Sequence, residues 1–198
     1  AIGIALLCLL AQPAAAINVL IDYSYDTTNF FGVGNPSGST AGAQAKAALD
    51  AAASFYSTIL TDSFSQIQTP ATFHSATFNG QNVWQWTANF AHPSTGSNVV
   101  RTNDTIAANQ YVIYAGARSL SGDTAGIGGP GGFGWSSTPT GGFTQAEVNQ
   151  ITATTATFQN QVENRGQASG FSRWGGAITF DRDGSTSWFY NHLGSPAG

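Results

Sequence analysis

The chain has 198 residues, with 6 Lys and Arg against 10 Asp and Glu, a net charge of −4 and only 8% charged positions. Its 41% hydrophobic content is enough for one domain with a core and excludes a disordered polyelectrolyte. No run of Lys or Arg is present to neutralise phosphates, which excludes nucleic acid as the partner.

At the N-terminus, the apolar run Ala1 to Leu10 is followed by Ala14, Ala15 and Ala16, the h-region and small-residue cleavage site of a signal peptide. Residues 1–16 are therefore read as a partial signal peptide cut after Ala16, its start missing because the first residue is not Met. Ten apolar residues are too few for a membrane span, which takes about 20. The expected location is secreted or at the cell surface. Leu7 precedes Cys8, which disfavours lipidation, and the mature chain 17–198 holds no cysteine for a disulfide framework. Asn103-Asp104-Thr105 is a glycosylation sequon, with meaning only in a eukaryotic host.

From Ile17 to Tyr25, apolar and polar residues alternate with a two-residue period, which predicts a strand ended by the Gly/Asn/Pro/Ser stretch 32–39. Ser39 or Thr40 is placed to cap a helix. Its apolar positions Ala45, Ala48, Leu49, Ala52, Phe55, Tyr56 and Ile59 recur at three- and four-residue steps. The many alanines allow close packing on a sheet, and Lys46 with Asp50 adds an exposed pair. Residues 71–90 read as extended, with Trp84, Trp86, Ala88 and Phe90 sharing one face. Tyr111 to Ala115 is an unbroken apolar run that suits a strand covered on both faces.

Ten glycines fall between Gly116 and Gly142. This composition predicts an irregular loop, and the interleaved Ile127, Phe133 and Trp135 predict that it is ordered. Thr144 and Glu147 form a capping box that opens a Thr-rich helix between 144 and 165. A strand from Trp174 to Phe180 then runs into Asp181-Arg182-Asp183-Gly184. The expected class is α/β (α+β): a twisted mixed sheet with a long helix packed across it.

Few residues fit known chemistry. His74, His92 and His192 lack the spacing of a helical zinc motif, no G-x-S-x-G elbow occurs, and Asp123-Thr124-Ala125-Gly126 has no second copy to form an aspartic dyad. Asp181 and Asp183, two apart after a strand, can point to one side toward a hard cation such as calcium, with Asp123 as a third carboxylate. The same Asp-x-Asp-Gly pattern equally makes a simple turn.

The order INVLIDYSYD, Ala-rich helix, YVIYAGAR, GIGGPGGFG and WGGAITFDRDGSTSWFY resembles the N-terminal part of the catalytic domain of secreted bacterial zincins. These are zinc metallopeptidases of the matrixin-like, metzincin type, in an exported group that often carries a C-terminal sorting signal. The resemblance spans about residues 17–190 and implies a zincin-like subdomain, incomplete over 17–198. It implies calcium as a structural metal, with Asp123, Asp181 and Asp183 as ligands. It also implies that a protein or peptide substrate lies along an edge strand made by Trp174, Gly175, Gly176, Ala177 and Ile178. The small residues there suit close approach of a guest backbone. The family's H-E-x-x-H-x-x-G-x-x-H zinc helix does not occur in these 198 residues. The resemblance therefore implies a catalytic zinc whose ligands lie outside this chain, with no catalytic residue within it.

A reading from another class is a secreted, non-catalytic carbohydrate- or protein-binding or adhesion module with Trp84, Trp86, Trp135 and Trp188 as stacking platforms. Trp84 and Trp86, sharing a face with Ala88 and Phe90, read more readily as core.

Overall fold

The computed structural model describes residues 17–68, 77–78, 81–82, 84–137, 143–167 and 174–194. The leader with Cys8, and His74, lie outside these residues.

The alternating opening segment forms β1 (Asn18–Asp22). The alanine-rich segment forms helix α1 (Ser39–Ile59), but the expected hydroxyl cap is not used. Gly38 takes the capping position instead, with φ 94°, and no side chain closes the first turn. A tight approach explains the small residues that follow. A Cβ on Gly42 would stand 2.1 Å from the Gly32 carbonyl oxygen, so the helix can start there only with glycine against the preceding loop.

Two short strands, β2 (Thr77–Phe78) and β3 (Gln81–Asn82), pair antiparallel. They lead to β4 (Trp84–Ala91), β5 (Asn98–Thr102) and the apolar strand β6 (Gln110–Arg118). The glycine-rich segment departs from expectation. Instead of an irregular loop it forms two strands, β7 (Gly126–Pro130) and β8 (Gly132–Ser137). The capping box closes as predicted, with the Thr144 hydroxyl accepting from the Glu147 amide and the Glu147 carboxylate accepting from the Thr144 amide at 2.7 Å. It opens α2 (Gln145–Phe158), which runs into a π-helical turn at Gln159–Glu163. Four threonine hydroxyls of α2, at 152, 154, 155 and 157, donate back to carbonyls four residues earlier, which satisfies them inside a helix they otherwise disfavour. The last strand is β9 (Gly175–Asp181).

The class is mixed α+β. One sheet has the order β1-β6-β9-β7, with β1, β6 and β9 parallel and β7 antiparallel to β9. An antiparallel sheet of order β5-β4-β8 lies on one face of it. Between the two sheets, Trp84, Trp86, Phe90, Tyr114 and Trp174 form the larger core with Phe158 and Val162 of the α2 segment. On the other face, Ala45 and Leu49 of α1 pack with Phe30, Phe31, Ala115, Ala117 and Phe180.

A buried arginine ties the far end together. The Arg165 Nε donates to the Ser65 carbonyl at 2.7 Å, and its Nη atoms donate to the carbonyls of Ala107 and Gln110. With the guanidinium removed from water and no carboxylate bound to it among the described residues, its pKa is pushed down to about 10.

Candidate functional site

The expected docking rim was β9, and the sheet corrects that placement. β9 is an interior strand: Val112 to Arg118 of β6 pair with Gly175 to Asp181 on one flank, and Gly126 to Pro130 of β7 pair with residues 180 to 176 on the other. A guest chain cannot reach the backbone of Gly175, Gly176, Ala177 or Ile178, because β7 already occupies that flank.

The small residues nevertheless answer the physical demand inferred for them, since backbones do come close. A Cβ on Gly176 would lie 2.3 Å from the Gly129 carbonyl oxygen, and one on Gly175 would lie 1.8 Å from that of Val112. Gly175 also has φ 155°, at the margin of what other residues adopt. The close neighbours are the protein's own strands. Trp174, 1% exposed, is structural too: its indole Nε1 donates to the Gly132 carbonyl at 2.9 Å. Its ring fills the space where a Gly131 side chain would stand, and the Gly131 amide donates to the Gly175 carbonyl at 2.8 Å. Gly131 is thus the joint at which the chain passes from β7 in one sheet to β8 in the other.

The edge strands of this sheet are β1 and β7, and the edge next to β9 belongs to β7. All five of its residues are exposed, and among the described residues no strand pairs with its outer flank. Its glycines leave the backbone uncovered, and a Cβ on Gly129 would meet nothing within 4 Å. Pro130, which has no N–H to offer, ends the strand and limits indiscriminate pairing. Composition concealed this strand, although a proline within a run of apolar and glycine residues is the usual mark of an edge.

Alongside β7, a cavity of about 160 Å³ opens on the face toward β4, lined by Phe90, Ala91, Arg118, Ile127, Gly129 and Thr179 among others. The Arg118 Nη1 faces the carbonyls of His92 and Pro93 and the Thr179 hydroxyl at 3.3 to 3.5 Å. Its Nε and Nη2 make no hydrogen bond among the described residues, and no carboxylate pairs with it there.

The expected calcium ligands Asp123, Asp181 and Asp183 do not gather into one group of three among the described residues. Asp123 is exposed on the turn after β6, and among the described residues no group of three or more His, Cys, Asp or Glu side chains comes together. Asp181 is 1% exposed and serves its own turn. Its Oδ1 accepts from the amides of Leu120 at 2.9 Å and Asp183 at 3.4 Å, and its Oδ2 accepts from the Ser185 hydroxyl at 3.3 Å. Burial alone would raise this carboxyl's pKa. The Leu120 amide, the Asp183 side chain and amide, and the Thr186 side chain outweigh it and hold the pKa below the usual carboxylate range. Asp183 in turn accepts from the Ser185 amide at 2.8 Å. These are the bonds of a turn after a strand.

His92 uses its Nδ1 to accept from the Ser94 amide at 3.1 Å, and its ring stands edge-on to Tyr25. The tryptophans expected as carbohydrate platforms are divided. Trp84 and Trp86 are fully buried, Trp135 is 45% exposed and stacks on Trp84, and the Trp188 ring packs on Phe180 while its Nε1 donates to the Asp181 carbonyl. Among the described residues, these tryptophans form no row of free aromatic faces.

Comparison with protein-family models, with curated proteins and with solved structures gave no match. Fold and site together define a mixed α+β domain with a glycine-lined antiparallel strand at one edge of a largely parallel sheet, its outer flank without a partner strand among the described residues.

Proposed function

We propose that residues 17–198 are the substrate-holding part of a secreted zincin-type zinc endopeptidase, with β7 as the strand along which an extended peptide is laid. The observation that carries this reading is the free flank of β7. A guest chain adds to an open sheet edge through main-chain hydrogen bonds, which give affinity without demanding a particular sequence, while pockets beside the edge supply specificity. Glycines at 126, 128 and 129 keep side chains out of the way of that approach.

The described residues do not fit the catalytic zinc, because no cluster of ligating side chains is present among them. Their part in the chemistry is to bind and orient the substrate chain. In this reading, the histidines that hold zinc and the glutamate that activates water belong to sequence outside these 198 residues. Calcium is likewise left without a three-carboxylate set among the described residues.

The test is the reading frame beyond codon 198 and the activity of its product. The proposal expects two histidines four apart around a glutamate, and casein cleavage that is abolished by 1,10-phenanthroline and restored by zinc. A frame without that pattern, or a product that leaves casein intact with zinc supplied, would overturn it.

A further inference from the structure

We infer that the cavity between β4 and β7 is a binding site for a small apolar monocarboxylate of about benzoate size, held by its carboxylate on Arg118. The site takes a free molecule that enters between the two sheets, and it is independent of the reading of β7 as a docking strand.

The register locates the cavity. Ile127 and Gly129 of β7 lie opposite Thr179 and Ala177 of β9 on the face toward β4, and Phe90 and Ala91 close the space from the second sheet. Ala91 and Ile127 are exposed, so the cavity opens to solvent between β4 and β7, and a ligand has no strand to cross. Its volume of about 160 Å³ matches that of apolar cavities able to hold one benzene ring, about 150 Å³. The walls beside that ring are aliphatic or aromatic, which suits an apolar body.

The charge sits at one end. Among the described residues that line the cavity, Arg118 alone is charged. Its Nη1 is spent on the carbonyls of His92 and Pro93 and on the Thr179 hydroxyl, which holds the group in place. A Cβ on Gly96 would stand 3.1 Å from the Arg118 Cζ, 3.3 Å from Nε and 3.4 Å from Nη1. The Gly96 backbone therefore lies against the flat face of the guanidinium and leaves its edges free. Nε and Nη2, which make no hydrogen bond among the described residues, form the side-on fork that grips both oxygens of a carboxylate. Asp181, the nearest carboxylate in the register, is committed to the Leu120 amide and does not fill that fork. A ligand with an anionic head and a one-ring body satisfies both halves of the site.

The test is a titration of the mature chain 17–198 with sodium benzoate, benzamide and sodium acetate, followed by amide shifts in proton–nitrogen correlation spectra. Benzoate is expected to shift the amides of Gly96, Ile127 and Thr179 and to bind with a Kd on the order of 1 mM. Benzamide keeps the shape and loses the charge, and should bind about tenfold more weakly; acetate keeps the charge and loses the ring, and should be weaker than benzoate by a similar factor. Arg118→Gln should bring benzoate down to the affinity of benzamide, and Arg118→Lys should restore part of the difference. Gly129 faces open space at a non-positive φ, so Gly129→Leu should fill the cavity and weaken benzoate and benzamide alike. Amides of Gly96, Ile127 and Thr179 that stay unshifted at benzoate concentrations about tenfold above that Kd would overturn the site. Equal affinities for benzoate and benzamide, or a preference for benzoate that survives Arg118→Gln, would overturn the role of Arg118. Acetate binding as tightly as benzoate, or benzoate binding unchanged in Gly129→Leu, would overturn the cavity as the seat of the ring.

Discussion

The two faces of the four-stranded sheet are covered in different ways. Toward β4, a second sheet and three tryptophans close the interface apart from the cavity of about 160 Å³ beside β7, with Trp84, Trp86 and Trp174 at 1% exposure or less. Toward α1, the helix contributes mostly alanine, and the cover is incomplete. A groove of about 230 Å³ runs between α1 and the segment Trp188–Tyr190, and another of about 260 Å³ lies between Tyr56, Leu60 and β6. Large aromatic side chains seal a face because each buries a great deal of apolar area, whereas alanine brings backbones close without filling what lies beside them. The sealed face carries the rigidity that holds β7 in place through Trp174, and the open face leaves apolar surface uncovered.

If that contrast is correct, truncation should cost far more on the sealed face. Trp174→Ala is expected to lower unfolding stability by about 3–5 kcal/mol in urea titration, against about 1 kcal/mol for the half-buried Leu49→Ala on the α1 face. Similar losses for the two would break the comparison. Arg165→Ala comes next, at about 2–3 kcal/mol. It strands the carbonyls of Ser65, Ala107 and Gln110 where the α2 segment meets the sealed core, which Arg165→Lys would only partly repair.

The sealed face also has a pH signature. Burial pushes the Tyr114 phenol up to about 12 from its ordinary 10.0, so the folded state holds a proton that the unfolded chain releases first. The stability this contributes is full below pH 10 and is lost as the pH rises from 10 to about 12. Tyr114→Phe should flatten that part of a pH-dependent melting curve; an unchanged curve would show that Tyr114 is more accessible than its burial implies. The smallest effect concerns the open face. Ala48→Leu, placed in the groove between α1 and Trp188, should raise stability by about 0.5–1 kcal/mol, which differential scanning calorimetry can resolve; a loss would mean that the groove is narrower than its volume suggests.

Periodicity revealed most of the elements. The alternation around Ile17, the alanine steps of α1, the shared face of Trp84, Trp86, Ala88 and Phe90, and the Thr144–Glu147 box all appear where the sequence places them. Periodicity carries no information where side chains are missing, and so the sequence of β7 and β8 reads as loop. The docking edge is hard to read for a related reason: the sequence of β9 states that a backbone comes close, but not that this backbone is β7.

The account depends most on β7 being an edge that receives a peptide strand. Hydrogen–deuterium exchange on the chain 17–198, with and without an extended Thr/Val octapeptide, tests this directly. The outward amides among residues 126–129 should slow on binding while those of β6 stay as they are; unchanged exchange across β7, or protection appearing only along the groove beside α1, would contradict it.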